Sequence, residues 1–118
     1  MTKAAFATAA DALCKRTNAV IGAKFRAMGD KPGPGAMAAA YETVLRESYR
    51  LPGALLAIGA PQDEQKELVT LAVGLYRATE GAQRQGQEAF FADNADPWKP
   101  IADKLEKDFN LPDCGQQD

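Results

Sequence analysis

The chain has 118 residues, of which 46% are apolar; its formal charge is −2, and it contains no histidine. That length suits one domain (1–118) burying roughly two thirds of the surface its unfolded chain would expose. The charge balance argues against nucleic acid as a partner, and no apolar run approaches the roughly 20 residues of a membrane span. Without histidine there is no imidazole acid-base chemistry, no Ser-His or Cys-His nucleophile, no His-ligated haem and no Glu-x-x-His di-metal centre.

The first helix is predicted over about 3–28, with Ala10, Cys14, Thr17, Ile21, Phe25 and Met28 at three- and four-residue intervals on one face. It is basic: residues 1–31 carry Lys3, Lys15, Arg16, Lys24, Arg26 and Lys31 against Asp11 and Asp30, a net +4 that leaves −6 for the rest. A helix lying beside acidic neighbours explains this better than a basic docking surface. The run Gly29-Asp30-Lys31-Pro32-Gly33-Pro34-Gly35 ends the helix.

A second helix is predicted over about 36–58, where Met37, Tyr41, Val44, Ser48, Leu51, Leu55 and Ile58 alternate spacings of four and three, the seam of an antiparallel helix pair. Pro52 interrupts it and should kink rather than break it, because the period survives on both sides. Ser48 stands one turn before Pro52, so its hydroxyl and the carbonyl that Pro52 leaves unpaired could form a polar spot in the seam. The plainer reading is that the Ser-Pro pair only shapes the helix.

The third helix is predicted over about 62–91, opening on Asp63, Glu64 and Glu67, which suit the helix dipole, and continuing through Leu68, Val69, Leu71, Ala72, Val73, Leu75 and Tyr76. Apolar almost all round, this stretch is expected to be the most buried. Phe90 and Phe91 either finish it or pack under the following loop. The fourth helix, about 97–109, follows Asp96 as N-cap and places Trp98, Ile101, Ala102, Leu105 and Phe109 on one face.

No period-two pattern competes, so the expected fold is all-α: an up-down-up-down four-helix bundle with the first helix beside the fourth and both termini at one end. The only cysteines, Cys14 and Cys114, then lie within reach of each other, and a disulfide between them would join the termini and indicate an oxidising compartment. The alternative is a cytosolic chain with both thiols reduced. The first nine residues are too short and too weakly apolar for a signal peptide, so a bridged chain is expected to be a mature secreted or periplasmic form whose export signal has been replaced by an initiator Met.

Three segments, Ala9-Ala10-Asp11-Ala12-Leu13-Cys14-Lys15-Arg16-Thr17-Asn18, Ile58-Gly59-Ala60-Pro61-Gln62-Asp63-Glu64 and Phe109-Asn110-Leu111-Pro112-Asp113-Cys114-Gly115, resemble small bacterial secreted or lipoprotein-type helical-bundle domains. Those pair a cysteine in an early basic helix with one in a terminal Leu-Pro-x-Cys-Gly element. The resemblance implies export and a disulfide, and no activity. The cysteine-first terminus needed for lipid attachment is missing here.

Ser48 is the only serine, and no nucleophile elbow, phosphate loop or dinucleotide fingerprint occurs. Glu42 with Glu47, and Asp63 with Glu64 and Glu67, are read as solvated or dipole-stabilising carboxylates rather than as a metal or general-acid site. The expectation is therefore a non-catalytic structural or protein-interaction module without cofactor or metal, with another protein as partner and Phe90, Phe91 and Trp98 as the candidate partner patch. The alternative is a small carrier of an apolar ligand, with Tyr41, Val44, Ser48 and Leu51 as pocket residues and an internal cavity near Ser48 and Gly22 as its mark.

Overall fold

A computed structural model of the protein describes residues 2–93 and 96–115. The loop expected after Phe91 thus lies partly, and Met1 wholly, outside the described residues. Six helices follow one another: α1 (Lys3–Met28), α2 (Pro34–Ile58), α3 (Gln65–Gln85), α4 (Gln87–Ala92), α5 (Lys99–Phe109) and α6 (Pro112–Gly115). Among the described residues there is no strand.

Local chemistry sets most of the boundaries. The Thr2 hydroxyl accepts the Ala5 N–H at 3.1 Å and so caps α1, which ends where Gly29 takes a φ of 70°. α2 begins two residues earlier than its seam implies, because Pro34 occupies the first turn, where a missing N–H costs nothing. It runs unbroken through Pro52. The expected third helix is two helices, separated at Gly86, whose φ of 86° is left-handed backbone open to glycine and costly for other residues. α5 begins at Lys99 rather than beside Asp96, whose Oδ1 instead accepts the Trp98 N–H at 3.0 Å in the preceding turn.

α1 packs on α2, α2 on α3 and α3 on α5, while α6 closes back onto α1. The expected contact between the first and fourth long helices is carried by α6 and by the Phe6 and Phe109 rings, whose centroids are 5.6 Å apart. Around those rings lies a dry core: Ala10 and Cys14 from α1, Leu55 from α2, Leu68 and Leu71 from α3, Leu105 from α5, and Leu111. Cys14 and Cys114 form a disulfide with a Cα–Cα distance of 4.9 Å, tying α6 to α1. Asp11 Oδ1 accepts the Asp113 N–H at 2.8 Å, and Asn18 Nδ2 donates to the Asp113 carbonyl at 2.6 Å, so the backbone beside the disulfide is held on both sides.

Two expectations about burial are corrected. α3 is not buried all round: Val69, Val73 and Tyr76 are 42%, 42% and 48% exposed, because α3 meets neighbours on only part of its circumference. α2 is buried on more than one seam: Ala40, Thr43, Glu47 and Pro52 are buried beside Val44 and Leu55, as a helix between α1 and α3 requires. Glu47 is consequently not a solvated carboxylate. It is 3% exposed, with Oε2 at 3.3 Å from Arg46 Nε and 3.5 Å from Arg50 Nη1, and Oε1 has no hydrogen-bond partner among the described residues.

Candidate ligand cavity

Past Cys14 the apolar stripe of α1 changes character: Thr17 is buried, while Ile21 and Phe25 are only half-buried. They are half-buried because they border a cavity of about 440 Å³ between α1, α2, α3 and α4. α1 contributes Thr17, Asn18, Ile21, Gly22 and Phe25, α2 contributes Val44, Ser48 and Leu51, and α3 contributes Leu75. Phe90 and Phe91 of α4 and the turn residues Asp96 and Trp98 complete the wall. The volume lies in the range of small-molecule sites, and the mixture of apolar lining with a few polar groups is typical of them.

Small residues open the space. Thr17 and Ser48 stand at positions where the stripes of α1 and α2 would otherwise supply bulk, and Gly22 borders the same space without a side chain. Pro52 has no N–H to give the Ser48 carbonyl, so that carbonyl is freed from helical pairing. Gly22 carries a second constraint: the Arg26 guanidinium folds back over it, with Nη1 3.2 Å from where a β-carbon would stand.

The aromatic wall is fixed in place. Trp98 Nε1 donates to Thr79 Oγ1 at 2.9 Å, and that buried hydroxyl donates to the Leu75 carbonyl at 2.9 Å. Phe90 meets Phe91 at a centroid distance of 5.4 Å and an interplanar angle of 83°, and meets Trp98 at 6.2 Å and 70°. Phe25 meets Phe91 at 6.1 Å and 61°. Edge-to-face contacts of this kind set the rings as successive walls rather than as a stack. The break at Gly86 lets α4 swing these rings over the cavity, and Gln85 Nε2 ties its far end by donating to Asp93 Oδ2 at 3.1 Å.

The structure therefore joins two groups of residues that the sequence presents separately. Val44, Ser48 and Leu51 line the same cavity as Phe90, Phe91 and Trp98, which are half-buried and turned onto it instead of forming an outward patch. Tyr41 does not line it. Its hydroxyl donates to the Ala82 carbonyl at 2.8 Å and its ring lies edge-on to Phe90 at 5.4 Å, so it supports the aromatic wall from behind. Thr17, Ile21 and Phe25, which their spacing marks as core, line the cavity together with Asn18, Leu75 and Asp96, which the sequence does not mark as lining. The signal is the polar Thr17 inside an apolar stripe, five residues before Gly22, on the helix that faces Ser48.

Among the described lining residues Asp96 is the only formally charged one, and none is a lysine or arginine. Away from it, in the tail latch, burial pushes the Asp11 carboxyl above its ordinary value, and the hydrogen-bonded Asp113 carboxyl pushes it in the same direction. Among the described residues no group of three acidic, thiol or imidazole side chains converges to hold a metal ion. Nor is any helix among the described residues long and apolar enough to cross a membrane. Comparison of the chain with protein-family models, with curated proteins and with solved structures gives no match to any of them.

Proposed function

We propose that this protein is a non-catalytic carrier that holds a small apolar ligand inside an up-down-up-down bundle of α1, α2, α3 and α5, in a secreted or periplasmic setting. One observation carries the reading: the cavity of about 440 Å³ sits at Ser48 and Gly22 and is walled by Phe90, Phe91 and Trp98. A disulfide closing nearly the whole chain suits an oxidising compartment, which supports the extracytoplasmic part of the proposal. Among the described lining residues the Thr17 and Ser48 hydroxyls have no imidazole or acid pair beside them, and ligand retention is the task the apolar lining suits.

A thermal-shift screen with small aromatics and short-chain lipids tests the reading. A ligand at a hundred times its Kd adds about 2.7 kcal/mol to stability by mass action, which for a domain of this size raises Tm by roughly ten degrees. The expected result is a saturable shift that disappears in Ser48→Leu, whose side chain occupies the cavity. A screen without any saturable shift would overturn the carrier reading.

The exposed stripe Val69, Val73 and Tyr76 on α3 favours the second reading, a protein-interaction module. Sedimentation of wild type and Val73→Lys at rising concentration separates the two, since self-association through that stripe would be lost in the variant while cavity binding would not.

A further inference from the structure

The lining of the cavity narrows the chemistry of what it can hold. Its rings do not stack: Phe25, Phe91, Phe90 and Trp98 are chained edge to face, at interplanar angles of 61°, 83° and 70°. These four rings border one space at steep angles to one another, and a cation that settles over the face of any of them is attracted by the negative part of its quadrupole. A carboxylate, Asp96, lines the same space, and one of its oxygens is occupied by the Trp98 N–H. No lysine or arginine among the described lining residues neutralises it or receives an anion. Arg26 comes near through its contact over Gly22, but it is exposed and does not line the cavity.

An anionic head group entering here would shed part of its water, gain no counter-charge from the described lining and meet the aromatic wall and Asp96, which is unfavourable. An ammonium head meets the opposite situation. The remainder of the wall, Ile21, Val44, Leu51 and Leu75, accepts a hydrocarbon body.

We infer that the cavity binds an organic ammonium ion, with its charged head in the aromatic box beside Asp96 and its apolar body along α1, α2 and α3. This rests on the carrier reading above and adds to it the charge class of the ligand. The test is isothermal titration of the full, disulfide-intact chain with three probes of equal chain length: octyltrimethylammonium, octan-1-ol and octanoate. Octyltrimethylammonium is expected to bind at a single site about tenfold tighter than octanol, with octanoate weakest. Asp96→Asn keeps the Oδ1 acceptor that caps Trp98, so the turn is preserved; it should weaken the ammonium probe at least about fivefold and leave octanol within about twofold. Phe90→Leu, which removes a ring and keeps apolar bulk, should likewise narrow the gap between the two probes.

Octanol binding as tightly as the ammonium, or an ammonium preference unchanged in Asp96→Asn, would overturn the charge class and leave the carrier reading standing. Octanoate binding tightest, with the preference lost in Arg26→Gln, would overturn it in the same way and assign the head-group site to Arg26. Failure of all three probes, together with an empty thermal-shift screen, would remove the carrier reading and this inference with it.

Discussion

The two halves of this molecule are made from the same helices and are packed differently. Around Phe6, Leu55, Leu68, Leu105, Phe109 and Leu111, side chains that are almost entirely inaccessible fill the space between α1, α2, α3 and α5, and the Cys14–Cys114 bond fixes the chain end over them. One or two turns along α1, the same stripe passes Thr17 and Gly22, faces Ser48 instead of leucine, and leaves about 440 Å³ unfilled. Stability is concentrated in the filled half, and the hollow half can keep a cavity because the filled half already holds the helices in register.

The largest effect that would break this contrast is loss of the disulfide. Closing a loop across 100 residues is worth about 4 to 5 kcal/mol in the chain-entropy model, so a Cys14→Ala, Cys114→Ala double variant should lose most of that in urea denaturation. A cost below about 1 kcal/mol would mean that the filled half needs no staple. Next come the aromatic residues of the two halves. Phe6→Ala, at a fully buried site, should cost about 3 to 4 kcal/mol, whereas Phe91→Ala, half-buried at the cavity, should cost about 1 kcal/mol. Equal costs would show that the hollow half is packed as tightly as the other.

Glu47, the neighbour of Ser48 that does not line the cavity, sharpens the contrast along α2. Its Oε1 is buried without a partner among the described residues, while Arg46 and Arg50 remain more than half exposed. Replacement by an apolar side chain of similar length leaves both arginines solvated, so Glu47→Met should be neutral or stabilise by about 1 kcal/mol. A loss above about 2 kcal/mol would assign the carboxylate a structural role.

The smallest effect concerns acid. Asp11 and Glu67 both have raised carboxyl values in the folded chain, Asp11 first through burial and Glu67 first through its hydrogen bond with Asp108. The folded state therefore holds these protons more tightly than the unfolded chain. The stability they contribute is complete below the ordinary carboxyl range near 4 and is lost as the pH rises through the raised values. Asp11→Asn and Glu67→Gln should match wild type in Tm near pH 3 and exceed it slightly at pH 7. A variant less stable than wild type at neutral pH would reverse that sign.

Much of the filled half was legible in the sequence, because deep burial leaves a period: Ala10 and Cys14, Leu55, and Leu105 and Phe109 mark their faces by spacing alone. The placement of the cysteines announced the staple. The hollow half was readable only in pieces. Ser48, Gly22 and the aromatic cluster were each conspicuous, but what unites them is the turn at Gly86, a single backbone conformation that no periodicity encodes. Glu47 escaped for a related reason. Whether a helix is covered on one side or two depends on its neighbours, and a carboxylate at the margin of one seam gives no sign that a second helix covers it.

The bond between Cys14 and Cys114 also changes what a protease can accomplish. The connection between α1 and α2 is largely exposed from Gly29 to Gly33, and a cut there severs the only peptide link between α1 and the rest of the chain. The freed α1 would still be attached through Cys14, at an effective concentration set by a short covalent tether rather than by dilution. A nicked molecule would keep its filled half assembled, run as one species without reductant, and release a fragment of about 30 residues when the bond is reduced.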